Sequence, residues 1–296
     1  MSPAAREPRF GLFLIPNATE YPDLLRQVEA VERGGLDLIG IQDHPYQRRF
    51  LDAFALIADL LARTERLRIF PDVANLPLRP PATLAKLAAS LDVMSGGRFE
   101  LGLGAGAFWD GIAAIGGPRR PPGESVEALE EAIEVIRRFW SGERTVAYGG
   151  RHYQVAGLHP GPPPAHEIEI WVGAYKPRML DLTGRLADGW LPSYGVAPPE
   201  ALPELARRVD EGARRAGRDP SAVRRLYNVN GTIADGPVRE RLNGPPGHWI
   251  ETLTGFVREL GFDTFIFSPG GDDIVGQIER FAREVAPGVR EVVAAA

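Results

Sequence analysis

Four short strings place chemically capable side chains beside glycine or proline. The first is IQDHPY, where Asp43 and His44 are adjacent. Imidazole exchanges a proton near neutral pH, so His44 is the candidate general acid or base. Asp43 would orient it or bond to a cofactor ring. The alternative for the pair is a helix cap or a solvent-facing turn. The other histidines are less committed: His152 falls in a predicted hairpin, His159 and His166 flank a proline-rich turn, and His248 lies in an irregular segment. No two of them have a zinc-site spacing.

The second string, PDVANLPLRPP, carries Asn75, whose amide can hydrogen-bond the edge of a heterocycle, and Arg79, which suits a phosphate or a neighbouring carboxylate. The third, ELGLGAGAFWD, has glycines at 102, 104 and 106 that let a ligand or another backbone come close. It resembles a nucleotide-binding GxGxxG only loosely, lacks the last glycine, and leads into a proline-rich loop. We read it as a strand opening onto a flat ring, with Phe108 and Trp109 stacking on that ring or lining an apolar pocket. In the fourth, WVGAYKPRML, Gly173 and Ala174 precede Lys176 and Arg178 at a predicted helix start. Cations are unfavourable there unless an anion joins them. Free backbone N–H groups and two cations make a phosphate seat, and a pair of surface charges is the alternative.

Other chemistries are excluded or weak. The chain has no cysteine, which removes disulfides, thiol nucleophiles and Cys-ligated metal sites. There is no serine nucleophile elbow and no Walker loop. Asp272 and Asp273 follow Gly271 without further ligands and read as a solvated turn, so no metal is expected. A formal net charge of -5, with scattered arginines, gives no electrostatic footprint for nucleic acid or an acidic membrane surface. No segment has the length or apolarity of a membrane span or a signal-peptide core, and a cytoplasmic protein is expected.

The elements that must position these residues follow from apolar patterning. Eight short runs are nearly continuous in apolar character, as strands covered on both faces are: Arg9–Pro16, Leu38–Gln42, Leu67–Val73, Arg98–Ala105, Glu167–Ala174, Gly189–Ser193, Leu226–Ile233 and Thr264–Ser268. Between them lie amphipathic segments predicted as helices: Tyr21–Gly34, Leu51–Arg63, Ala82–Met94, Glu124–Trp140, Pro177–Leu186, Ala201–Ala216, Ile250–Leu260 and a terminal Gly276–Val285. Eight strand–helix units argue for a (β/α)₈ barrel, an α/β fold. An open doubly wound sheet would want a phosphate loop after its first strand, and LIPNATEYPD is not one. We expect one domain over residues 1–296, with an insertion at about 106–166 that ends in a small hairpin turning at Gly149–Gly150. A second irregular piece, ADGPVRERLNGPPGHW, follows the seventh strand. Both lie after strand carboxyl ends, where a barrel carries its active site.

Taken together, DHPYQRRFLD, RTERLRI, LDVMSGGRFELGLGAGAFWD, EALEEAIEVIRRFW, LADGW and GFDTFIFSP resemble the luciferase-like monooxygenase superfamily of (β/α)₈ proteins. The likeness is strongest to its F420-dependent oxidoreductase branch, alongside methylenetetrahydromethanopterin reductase-like proteins. The resemblance implies a flavin or deazaflavin at the carboxyl face, with Asp43 and His44 near the reactive ring. It implies a non-prolyl cis peptide in the bulge Val73–Ala74–Asn75 behind the ring. Gly104, Ala105 and Gly106 would line the ring or tail, and Gly173 and Ala174 would approach the phosphate. Tyr46, Phe108 and Trp109 would wall the substrate pocket. Coenzyme F420 is the cofactor expected, with FMN the alternative. Arg48, Arg49, Arg119, Arg120, Lys176 and Arg178 are cations available to an anionic tail. The expected activity is hydride transfer between F420 and an organic small molecule. Flavin monooxygenation and a non-catalytic cofactor-binding barrel are the rival readings. A homodimer is implied as well.

Overall fold

The protein is described by a computed structural model over residues 6–239 and 242–295. In chain order its main elements are β1 (Arg9–Leu14), α1 (Tyr21–Arg33), β2 (Leu38–Ile41), α2 (Ala53–Arg63), β3 (Arg68–Pro71), β4 (Ala74–Asn75) and α3 (Pro81–Ser95). Then come β5 (Leu101–Gly104), α4 (Trp109–Ala114), α5 (Pro122–Trp140), β6 (Val146–Gly149), β7 (Gln154–Leu158), β8 (Ile170–Val172), α6 (Pro177–Leu186) and β9 (Gly189–Trp190). The last are α7 (Leu202–Arg215), β10 (Arg224–Ile233), β11 (Asn243–Gly244), α8 (Pro246–Leu260), β12 (Thr264–Pro269), α9 (Ile274–Arg280) and α10 (Ala286–Ala294).

The main sheet runs in the order β3-β2-β1-β12-β10-β9-β8-β5-β4, and neighbours along it are parallel. Its two ends belong to one continuous stretch of chain, so the sheet curls into a nearly closed barrel with helices outside. The third predicted strand is divided there: β3 pairs with β2, β4 pairs with β5, and a cis peptide joins Asp72 to Val73 between them. That bond lies at the leading edge of the bulge named from the resemblance. A parallel bridge between Ile69 and Phe99 helps close the seam.

Leu38, Ile39, Gly40 and Ile41 of β2 are all buried, as a strand covered on both faces requires. Outward side chains meet the helices. Inward ones form a separate plug of Leu38, Phe70, Trp171, Leu191, Leu226 and Ile266. Bulk in the plug is matched by missing side chains elsewhere. A Cβ on Gly102 would stand 2.1 Å from the Pro71 carbonyl oxygen, so only glycine fits there.

A short helix, α4, starts at Trp109, where the sequence was read as passing directly into a proline-rich loop, and two predicted helices differ from expectation. The helix predicted from Ile250 begins at Pro246, because proline is tolerated in a first turn. The terminal helix does not stop at Val285: a π-helical turn over Phe281–Val285 leads into α10, and the wide turn accommodates Pro287, which has no N–H. Within residues 106–166, α5 packs between α3 and α6 as an ordinary barrel helix. The hairpin β6–β7 folds back along α5, where the Glu131 carboxylate accepts from the backbone N–H groups of Arg151, His152 and Tyr153. The hairpin loop runs over Gly150–Tyr153, slightly longer than predicted. In the second irregular piece, β11 adds to β10, while residues 240–241 lie outside the described residues. Among the described residues no helix is long and apolar enough to cross a membrane.

Candidate active site

Chain reversal at each strand end delivers the site. Beyond β2, Asp43 and His44 turn in different directions. Asp43 is buried, and its carboxylate accepts from Arg79 Nε at 2.8 Å, Arg79 Nη2 at 2.7 Å and the Asn75 backbone N–H at 2.9 Å. Arg79 also donates to Asp52, which caps α2, and lies over the Phe54 ring. Of the two roles open to Arg79, the structure gives it the neighbouring carboxylate. Asp43 is correspondingly committed to fixing the strand-three bulge. The ring of His44 takes a different partner, Gln42, whose amide donates to Nδ1 at 3.2 Å. That contact leaves the proton of the neutral imidazole on Nε2.

His44 sits in an aromatic corner. Its ring stacks on Tyr46 at 5.4 Å and meets Phe108 edge-on at 5.1 Å. Burial pulls the imidazole below its ordinary pKa, against the opposing charge of Asp43. Burial, then the same charge, pushes the Tyr46 hydroxyl up to about 12. Gly111 in α4 brings that helix onto the Tyr46 ring, since a Cβ there would lie 2.7 Å from it. Phe108 is exposed, and the Trp109 ring tip reaches the backbone at Gly106.

The opposite wall is built around Val73. Its methyls lie against Gly102, Gly104 and Gly173, so these glycines make room first for a neighbouring side chain. The positive φ at Gly106 turns the chain towards α4. Ala105 follows β5, and Ala174 is buried, its carbonyl accepting from Trp190 Nε1 at 3.0 Å. Lys176 and Arg178 are exposed at the start of α6, whose first turn carries no acid. Arg178 stands 3.8 Å from Glu127 of α5. Arg48 and Arg49 are exposed, Arg119 pairs with Asp110, and Arg120 lies over the Tyr153 ring.

Four polar residues of the mouth were not found from sequence. Asp72 is buried, and Asn228 Nδ2 donates to its Oδ1 at 3.2 Å and to Ser193 Oγ at 3.0 Å. The Tyr175 hydroxyl accepts from the Ser193 backbone N–H at 3.1 Å. Burial pushes the Asp72 carboxyl up to about 7, with the Asn228 hydrogen bond pulling the other way. Burial likewise raises Tyr175. The available signal was a polar residue at the carboxyl end of an apolar run, in RIFPD, LPSY and RLYN. Among the remaining candidates, His166 bonds to Asp92 and Glu100 away from this cluster, and Asp273 caps α9.

The residues fit a flat heterocycle with polar edges. Tyr46 Oη, Asp72 Oδ2, Asn75 Oδ1 and Asn228 Oδ1 are buried without a hydrogen-bond partner among the described residues. Buried polar atoms of this kind are costly unless a ligand pairs them.

The luciferase-like monooxygenase family matches residues 9–239. An F420-dependent glucose-6-phosphate dehydrogenase of Microbacterium testaceum is 32% identical over 205 residues, covering 67% of this chain and 60% of that protein. Another, of Intrasporangium calvum, is 27% identical over 90% of this chain and 95% of that one. Among solved structures, an F420-dependent secondary alcohol dehydrogenase in complex with an F420-acetone adduct superposes with a TM-score of 0.85. It shares 20% identity, with 96% of this chain and 99% of that chain covered.

Proposed function

Since the chain belongs to the luciferase-like monooxygenase family, we propose that it is an oxidoreductase that moves a hydride between coenzyme F420 and a small organic substrate. The observation that carries this reading is His44: a neutral, protonatable imidazole, held by Gln42 and caged by Tyr46 and Phe108 at the barrel mouth.

A bound deazaflavin supplies the hydride-carrying carbon. The chain supplies position, exclusion of water and a proton. His44 exchanges one proton with the substrate oxygen as the hydride moves, cycling between neutral imidazole and imidazolium. Asp43 acts one step removed: with Arg79 it anchors the Asn75 backbone, and so the bulge against which the ring lies. Val73, Gly104, Ala105, Gly106, Gly173 and Ala174 make the wall, with Ala74 and Asn75 behind it. Lys176 and Arg178 meet the phosphate arm, and Tyr46, Phe108 and Trp109 face the substrate. The homodimer and cytoplasmic setting implied by the resemblance belong to the same proposal.

The test is equilibrium binding of oxidised F420 and of FMN to cofactor-stripped protein, read by absorbance and fluorescence. Micromolar or tighter F420 binding with much weaker FMN binding is the expected result. The reverse preference moves the chain to flavin-dependent oxygen chemistry, and oxygen consumption becomes the next assay. Binding of neither overturns the assignment.

A further inference from the structure

Asp72 and Asn228 form a buried polar pair that the proton transfer at His44 does not use. Asp72 turns inward under β2, so that a Cβ on Gly40 would lie 2.8 Å from its Oδ2. The plug residue Phe70 is equally close to that point, which places the carboxyl directly above the apolar interior. Oδ1 accepts from Asn228 Nδ2, and Ser193 Oγ takes the other hydrogen bond of that amide. What remains is Asp72 Oδ2 and Asn228 Oδ1, both buried and both without a partner among the described residues. No lysine or arginine among the described residues pairs with Asp72.

A carboxylate buried with a single amide donor and no cation is held towards its neutral form. In that form the oxygen that accepts from Asn228 is the carbonyl, and the free oxygen carries the proton. The pair then presents one donor, Asp72 Oδ2–H, and one acceptor, Asn228 Oδ1. A pyrimidinedione edge presents the complement, a carbonyl oxygen next to a ring N–H.

We propose that Asp72 and Asn228 together recognise the pyrimidine edge of the bound ring, Asp72 donating from its neutral carboxyl to a ring carbonyl oxygen and Asn228 accepting from the ring N–H. The proposal rests on the reading of the mouth as a deazaflavin site. It assigns Asp72 a binding role that requires its proton, so ring affinity falls as the carboxyl ionises.

Among the groups around the pair, burial raises Tyr175 and lowers His44, while Asn228, Ser193 and Gly40 do not ionise. Asp43 is paired with the Arg79 guanidinium.

Two measurements on the full chain test this. Infrared difference spectra of cofactor-free protein should show a protonated carboxyl band that disappears as pH rises through about 7, and D72N should lack it. Dissociation constants for F420 and FMN are then measured across the same range. FMN is included because its ring does not ionise there, whereas the deazaflavin hydroxyl does. Wild-type affinity should weaken about tenfold per pH unit above the carboxyl pKa. D72N, whose amide keeps a donor at every pH, should bind with no such slope. D72L should lose at least tenfold at pH 6 while its thermal transition shows it folded. An unchanged slope in D72N, or an ionised Asp72 at pH 6, overturns the Asp72 assignment while F420 binding itself stands. If neither F420 nor FMN binds the wild type, the cofactor reading falls and this proposal with it.

Discussion

Replacing Arg79 by methionine tests whether the Asp43–Arg79 pair holds the bulge behind the site. The Asp43 side chain has no exposed surface, and that of Arg79 is 15% exposed. Two of the three hydrogen bonds to the Asp43 carboxylate come from Arg79, and the third comes from the Asn75 backbone. Methionine keeps the apolar stem over Phe54 but leaves a buried carboxylate with one donor. Removing one partner of a buried pair costs roughly 3–5 kcal/mol. The Asp52 arm adds little, about 0–1 kcal/mol, because Asp52 is 48% exposed and keeps its cap on α2. At roughly 2 °C per kcal/mol for a chain of this size, the melting temperature should fall by about 6–10 °C. Urea unfolding followed by circular dichroism gives the free energy. The double variant D43N/R79M removes both charges and should recover about half of the loss or more. Loss of the anchor on Asn75 should also weaken F420 binding. An R79M cost below about 1 kcal/mol, or a double variant no better than the single one, would refute the reasoning.

Three further outcomes are expected. In long-range proton–nitrogen spectra, His44 should titrate below 6.5, with Nδ1 bare at neutral pH, and H44N should delete that signal; an imidazole still charged at pH 7 contradicts the assignment. The hydrogen bond His166 donates to Glu100, then the charges of Glu100 and Asp92, raise the pKa of His166 against the pull of burial. Its contribution to stability is therefore complete below 6.5 and lost as pH rises through the higher folded value; H166Q should cost about 2 kcal/mol at pH 6 and remove that part of the pH dependence in urea titrations. Gly184 and Gly255 separate a close approach from open space. A Cβ on Gly184 would lie 2.0 Å from the Val209 carbonyl oxygen, whereas one on Gly255 meets nothing within 4 Å. G184A should destabilise by about 1–3 kcal/mol as α6 and α7 part, and G255A should stabilise by up to about 1 kcal/mol; equal effects would sink the packing argument.

The near-continuous apolar runs determined that strands would be covered on both faces, and their alternation with amphipathic segments determined the barrel. Both are local patterns, legible because helix and strand periods repeat within a few residues. The strings around His44, Phe108 and Lys176 could be placed at strand mouths for the same reason. What sequence could not decide was which side chains meet. Asp43 and His44 are neighbours in the chain, yet one faces Arg79 and the other Gln42, because successive residues leaving a strand point to opposite sides. The glycines of β5 were read as room for a ligand or a neighbouring backbone; the Pro71 backbone comes close to Gly102, and Val73 lies against Gly104 from across the seam. Asp72 and Asn228 lie 156 residues apart. Only closure of the sheet sets them side by side, and only the depth of the plug beneath them makes the carboxyl costly to ionise. Burial is a property of the whole barrel, so the upward push on the Asp72 carboxyl was decided by tertiary structure alone.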